Sequence, residues 1–380
     1  MEYGSSNHFE RQKQNKWWSL LFGSAFAAGI VFLFFGIYFF ITALAPWINS
    51  IVSQKRLPEY SAKLYETPNN RTVQAPAASV ISLTAVAIAF IFSYARITQI
   101  KAGGGTYVPS LLKAVPLGDG HIFLNPEAQR QEKILRNVIG ELAVATGLQE
   151  PDVYVLLNED YINAMACGLE EDDSSIVITK GCLKYLDRDE LRALLAHEFS
   201  HLANSDTRHF TLMAGWLHGL LVLNTLSFRL LTTRPNVVLI FLSASIMLVS
   251  FLANCLGKVI QAAFSRSRER LADSSAAQFT RDPLALASVL KKIGGQSDPK
   301  RGSLLRHPDF RHLYATEIPS LLNKFKLPKA ILSLLSTHPP IEDRVWELDP
   351  NWDGWYWDFE RNPVDFLTAP SLAAAQANRP

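Results

Sequence analysis

Two histidines four residues apart, with a glutamate directly after the first, stand at His197-Glu198-Phe199-Ser200-His201. On a helix, positions i and i+4 share one face about one turn apart, so both imidazoles can reach a single metal ion while Glu198 stands beside it. The chemistry this suits is water activation. A catalytic zinc takes three protein ligands and keeps a fourth position for water, whose proton an adjacent carboxylate removes. With 9 His in 380 residues, the pattern arises by chance in about one chain in a hundred.

Two histidines need a third ligand, and the sequence offers Glu269 within Ser265-Arg266-Ser267-Arg268-Glu269-Arg270-Leu271-Ala272-Asp273. Asp273, one turn further along the same face, suits an acceptor for the non-coordinating nitrogen of a ligand histidine, fixing its tautomer and raising its basicity. Taken alone, this stretch reads as a solvated helix face; the histidine pair upstream gives it another meaning. A third piece is Thr337-His338-Pro339-Pro340-Ile341-Glu342-Asp343-Arg344. Its prolines hold His338 extended and start a helix at Pro340, so that His338 and Arg344 form a donor pair for a tetrahedral oxyanion. In isolation, His-Pro-Pro would be an ordinary turn.

These groups must be carried by regular elements. Asp187-Arg188-Asp189-Glu190 has the form of a capping box, and Leu191, Leu194, Leu195, Phe199 and Leu202 continue it as an apolar helical stripe, so the histidine pair lies on a helix with a buried face. Residues 128–146 carry Ile134, Leu135, Val138, Ile139 and Leu142 at helical spacing and end at Gly147. Residues 152–157 and 175–179 are β-branched runs bounded by turn residues, and 163–168 reads as a third strand between them.

Much of the remaining chain avoids water. Charged residues are 19% of the sequence and hydrophobic residues 48%, against about 25% charged in an average soluble domain. No charged residue occurs from 17 to 54, and the apolar run of about 19–45 is long enough for a bilayer core of about 30 Å. Trp17, Trp18 and Trp47 flank it, and Pro46 supplies a stop. A cleaved secretory signal is the rival reading, opposed by the length of the run and by Pro46 directly after the Ala43-Leu44-Ala45 site. A second span covers about 77–96. Residues 210–228 and 235–257 form a helical hairpin, for which a buried soluble hairpin is the alternative because His218, Asn224 and Asn254 are polar. Four crossings put both termini on one side. Arg11, Lys13, Lys16, Arg96, Lys101, Lys113, Arg208, Lys258, Arg266, Arg268 and Arg270 flank the spans there, against Lys55, Arg56, Lys63, Arg71, Arg229 and Arg234 opposite, which places the termini in the cytoplasm. The balance of 37 Lys+Arg against 35 Asp+Glu argues against a nucleic-acid partner. Three cysteines, Cys167, Cys182 and Cys255, make no disulfide framework.

In this order, the HExxH of His197 to His201, the Arg268-Glu269-x-x-Ala272-Asp273 element, the Asn163-Ala164…Gly168 segment and His338-Pro339-Pro340-x-x-x-Arg344 resemble the HtpX-like membrane zinc metalloproteases. These are relatives of the CAAX prenyl endoprotease with a gluzincin-type catalytic domain. The resemblance covers about residues 100–350 and implies an α+β fold: a multi-span α-helical membrane protein with four transmembrane helices and a mostly helical zincin-type domain carrying a small β-sheet. It implies one zinc ion held by His197, His201 and Glu269, Glu198 as general base, Asp273 behind a ligand, and His338 and Arg344 near the substrate carbonyl. Asn163, Ala164 and Met165 fall where the family's sheet edge borders the cleft and binds substrate.

The expected organisation is a cytoplasmic N-terminus (1–16), a first helix pair with its loop (17–97), the catalytic domain in two parts (98–207 and 261–350) around the hairpin (208–260), and a Trp-rich segment with a disordered tail (351–380). The expected activity is endoproteolysis of polypeptides, membrane proteins above all, in quality control at the bilayer, with the cleft close to its surface. The resemblance places the protein in a bacterial inner membrane with its catalytic domain in the cytoplasm. A CAAX-type prenyl endoprotease is the nearest alternative, although that activity goes with seven membrane helices. A silent scaffold would have lost ligands or base, and a transporter would use His218, Asn224 and Asn254. Residues 296–336 and the tryptophans Trp352, Trp355 and Trp357 match no pattern of the family; packing against the domain is the reading preferred for the latter over the membrane interface.

Overall fold

A computed structural model describes residues 24, 28–46, 71–118, 126–233, 237–296 and 336–367. The expected cytoplasmic N-terminus, the stretch 297–335 and the tail from 368 onward lie outside the described residues. In chain order the elements are α1 (Ala28–Pro46), α2 (Arg71–Gly103), α3 (Tyr107–Leu112), β1 (Val115–Pro116), α4 (Pro126–Thr146), β2 (Asp152–Leu156), β3 (Ala164–Cys167), β4 (Ser175–Thr179), α5 (Lys180–Tyr185), α6 (Arg188–Ala203), α7 (Asp206–Thr232), α8 (Val237–Thr280), α9 (Pro283–Gly295) and α10 (Ile341–Leu348). The fold is thus mostly helical with one small sheet. Among the described residues, four helices are long and apolar enough to cross a membrane: α1, α2, α7 and α8.

Helix α8 differs from the sequence expectation. The fourth span and the polar stretch bearing Glu269 and Asp273 are one continuous helix of 44 residues, about 66 Å long at 1.5 Å per residue. No proline interrupts it, and Gly257 alone is too weak a breaker to end it.

The chain divides into two compact units, residues 1–99 with 212–260, and 100–211 with 261–380. The first holds the apolar helices around Leu33, Ile37, Ala85, Ala89, Leu223, Ile246 and Val249, while large apolar side chains such as Phe35, Phe39, Leu83 and Phe251 point outward, as a lipid-facing surface requires. Helices α2 and α7 approach closely at Gly219, where an added Cβ would collide with both Ala89 O and Ser93 Oγ. Ser93 Oγ also donates to Trp216 O at 3.2 Å. Asn224 Nδ2 donates to Met247 O at 3.0 Å, so this polar residue joins α7 to α8 in the manner of membrane helix pairs.

The second unit is built on a four-stranded sheet in the order β1-β2-β4-β3. β2 and β4 run parallel with Asp152 opposite Ser175 and Leu156 opposite Thr179; β3 lies antiparallel to β4, with Ala164 opposite Ile178 and Cys167 opposite Ser175. β1, two residues long and ending in proline, escaped the sequence reading and pairs antiparallel with β2. Helix α4 buries Leu135, Val138, Ile139, Leu142 and Ala143 and stops at Gly147, whose φ of +71° is the left-handed end that glycine provides. These residues share one core with Ile176 and Ile178 of the sheet, Leu191 to Phe199 of α6, Leu286 to Leu290 of α9, and Val345, Leu348 and Trp352. Trp352 therefore packs inside the domain, and Trp357 lies against it with Lys292 Nζ 4.8 Å from its ring centre, whereas Trp355 is 77% exposed.

Helix α6 is the centre of this unit. Its start is set by the capping box: Asp187 Oδ1 accepts from Glu190 N–H at 2.9 Å, and Glu190 Oε2 accepts from Asp187 N–H at 2.9 Å. Glu190 is itself anchored to α9, accepting from Ser288 Oγ at 2.7 Å and from the buried Lys292 Nζ at 2.6 Å. The helix that carries the histidines is thus fixed by its cap and by a buried ion pair before any metal is considered.

Candidate active site

From α6, His197, Glu198 and His201 project into one buried spot, and α8 brings Glu269 to meet them. His197 Nε2 stands 3.5 Å from Glu269 Oε2 and His201 Nε2 stands 3.5 Å from Glu269 Oε1. One ligand atom from each of the three residues lies within 4.8 Å of the others. Atoms bound at about 2.0–2.1 Å and tetrahedral angles stand about 3.3–3.4 Å apart, so the spacing fits a zinc-sized ion. His197 Nε2 and both Glu198 carboxylate oxygens are buried with no partner in hydrogen-bond geometry among the described residues. Buried polar atoms of native proteins are nearly always satisfied, and a cation with its water would satisfy these.

Each histidine keeps its Nδ1 for a carboxylate. His197 Nδ1 lies 3.0 Å from Asp273 Oδ1, and His201 Nδ1 lies 2.9 Å from Asp206 Oδ2. Asp273 in turn accepts from Arg344 Nε at 2.8 Å and from an Arg344 terminal nitrogen at 2.7 Å, while another Arg344 nitrogen stands 3.2 Å from Glu269 Oε2. The α10 element therefore reaches the site, but the planar fork of Arg344 is seated on Asp273 and Glu269. This differs from the donor pair read from the sequence, which had no means of showing that two buried carboxylates would take the guanidinium. His338 Nδ1 lies 3.0 Å from Glu269 Oε2, and His338 Nε2 has no hydrogen-bond partner among the described residues. Its turn is pinned from α8, because Arg266 donates to Ser336 O at 2.6 Å and Ser336 Oγ donates to His338 O at 2.7 Å.

The electrostatics follow from this packing. Burial alone would depress the His201 imidazole, yet Asp206 and Glu269 outweigh it and push it up to about 10. His197 is raised against the same opposition of burial by Asp273 and Glu269. Burial would raise the Glu269 carboxyl, but His338, His197 and His201 carry it well below the usual range. Glu198 goes the other way: burial lifts it, and the pull of His197 and His201 does not cancel the lift.

Asn163, Ala164 and Met165 lie at and just before the edge strand of the sheet, β3, and are buried at 3%, 2% and 1% exposure. Asn163 O accepts from Thr179 N–H at 3.0 Å, so by the alternation of an antiparallel pair residues 163, 165 and 167 turn their backbone groups toward β4, and 164 and 166 turn theirs outward. Ala164 N–H is met by Asn163 Oδ1 at 2.9 Å. The outward backbone is thus that of Ala164 and Ala166, and Met165 contributes its position in the strand.

Sequence reasoning missed Asp206 and gave Arg268 no role. Arg268 Nε lies 2.6 Å from Asp206 Oδ1, both side chains being 2% exposed. An acidic residue five positions after His201, in the first turn of a helix, was the one available signal.

Peptidase family M48 matches this chain over residues 129–351. The protease HtpX homolog of Dictyoglomus turgidum is 35% identical over 234 residues, which are 60% of this chain and 73% of that protein. The HtpX homolog of Thermoanaerobacter pseudethanolicus is 32% identical over 236 residues, again 60% and 73%. A looser likeness, to the crystal structure of S. mikatae Ste24p, has a TM-score of 0.41 and 16% identity over 90% of this chain and 66% of that one. With the matched span running from α4 through the histidine pair, Glu269 and Arg344, the chain belongs to peptidase family M48 and is a membrane metallopeptidase of the HtpX-like kind.

Proposed function

We propose that this protein is an integral-membrane zinc endopeptidase in which Glu198 activates the attacking water. The observation that carries the reading is the buried convergence of His197, His201 and Glu269 beside a Glu198 carboxylate that has no partner in hydrogen-bond geometry among the described residues. His197 and His201 would hold zinc through Nε2 and Glu269 through its carboxylate. A zinc ion bound there supplies Lewis acidity, making water acidic near neutral pH and polarising the scissile carbonyl. Glu198 takes the proton from the attacking water and returns it to the leaving amine. Burial raises its proton affinity in the metal-free site. His338 would serve the oxyanion through Nε2–H only as an imidazolium, since its Nδ1 faces the Glu269 carboxylate, while Arg344 acts at one remove by holding Asp273 and Glu269 in place.

An extended substrate would add to the edge strand β3 through the backbone of Ala164 and Ala166, a mode that reads main chain more than side chain and predicts weak sequence preference. Damaged or misassembled membrane proteins fit such an enzyme. The excess of Lys and Arg beside the ends of the spans on the catalytic side supports a cytoplasmic catalytic domain, at the inner membrane of a bacterium. The test is cleavage of unfolded casein, together with self-cleavage, by detergent-purified protein with zinc restored, comparing the parent with Glu198→Gln. Activity in the parent and none in the variant is expected. Equal cleavage by both would remove Glu198 from its role.

A further inference from the structure

The chain leaves α6 at Asn204 and enters α7 at Asp206 through one residue, Ser205, whose φ of +54° lies in the left-handed region. For a residue other than glycine this costs about 1 kcal/mol or more. The conformation breaks the helix, and Asp206, the first residue of α7, stands against His201 of the preceding helix, with Oδ2 2.9 Å from Nδ1. Asn204 Nδ2 braces the turn by donating to Ser200 O at 2.8 Å. Behind Asp206 stands Arg268, adjacent in sequence to Glu269, in a close ion pair at 2.6 Å. An ion pair so buried is weak support for stability, because apolar residues of the same volume serve as well or better. Its contact with a ligand histidine suggests another purpose.

We infer that Asp206, held by Arg268, is a positioning residue for His201: it accepts the Nδ1 proton, fixes the tautomer and turns Nε2 toward Glu269, 3.5 Å away. Asp273 and Arg344 do the same for His197. The two ligand rings are thus set by two separate Arg–Asp pairs, one of which ties the first turn of α7 to α8 beside the site. The inference rests on the zinc reading proposed above.

Full-length protein in detergent, stripped with a chelator, would be titrated with zinc against a fluorescent indicator and with cobalt, whose visible spectrum reports ligand geometry. Asp206→Asn is expected to raise the zinc Kd about 10- to 100-fold and to alter the cobalt spectrum. Asp206→Glu recovers part of the loss, which a purely structural role of the turn would not do. Arg268→Lys keeps the buried cation without the planar fork and raises the Kd by a smaller factor, about 3- to 10-fold. A Kd within about twofold of the parent, with an unchanged cobalt spectrum, in either folded variant overturns the inference. Should Asp206→Asn fail to fold, Arg268→Lys decides on the same two readouts. A parent protein that binds neither metal overturns the proposed function and this inference with it, whereas a metal-binding parent with insensitive variants overturns the inference alone.

Discussion

Substitution of Arg344 by alanine tests whether this residue serves the oxyanion directly or the architecture behind the metal ligands. The guanidinium is 2% exposed and makes two hydrogen bonds to Asp273, at 2.8 and 2.7 Å, and a 3.2 Å ion pair with Glu269. Truncation leaves two carboxylates, 4% and 2% exposed, without the guanidinium and with only the neighbouring histidines as partners among the described residues, so the general cost of a broken buried pair is an upper bound here. Removing one partner of a buried pair costs about 3–5 kcal/mol, because the remaining charge is neither solvated nor paired. In a domain of this size each kcal/mol lowers the midpoint by about 2–4 °C, so Arg344→Ala should melt below the parent by up to about 6–20 °C. The assay is thermal unfolding of the full chain in detergent with excess chelator, so that zinc binding adds nothing to either protein. Arg344→Lys, with the charge but not the bidentate fork, should fall between the two. A direct oxyanion donor would instead lose turnover while melting like the parent. A midpoint within about 2 °C of the parent, accompanied by lost activity, would refute the assignment of Arg344 to Asp273 and Glu269.

Three further outcomes follow from the same geometry. Because Asp206 and Glu269 push metal-free His201 up to about 10, zinc must displace its proton at neutral pH; apparent affinity should rise with pH through about 6.5 to 8.5, by up to about tenfold per unit for each proton released. Titration against an indicator at several pH values checks this, and a flat profile contradicts it. Burial pushes the Cys182 thiol up to about 11 and raises Cys167 as well, so a maleimide should label these two only after denaturation, as peptide mass mapping would show; labelling of either in the folded protein would mean that the sheet edge opens. Gly219→Val should force α2 and α7 apart at Ala89 and Ser93, costing about 1–3 kcal/mol as overpacking does and lowering the midpoint in detergent, whereas an unchanged midpoint would mean the helices do not pack there.

How much of this was legible follows from how local each feature is. The spans of α1, α2, α7 and α8 show in composition because a bilayer leaves a helix little choice of side chain. Helix α6 shows in its capping box and apolar stripe, both encoded within sixteen residues. The pairing of His197 with His201 is a property of helical pitch alone. β1 was invisible, since two residues ending in proline carry no periodicity. The break between α6 and α7 was equally hidden: Asn204 and Ser205 are neither glycine nor proline, and a serine does not announce the left-handed φ that Ser205 adopts.

The sequence by itself determined the membrane spans, the metal helix and the residue types able to do the chemistry, because spacing along a helix and the apolar length of a span are written in consecutive residues. Only the tertiary structure decided which acid serves which histidine. Asp273 goes to His197 and Asp206 to His201, while Arg344 stands behind the first and Arg268 behind the second. All four charged groups are buried, and a buried charge takes whichever partner the packing brings within reach. That choice is made by the continuity of α8 and by the helix break at Ser205, neither of which any local pattern records.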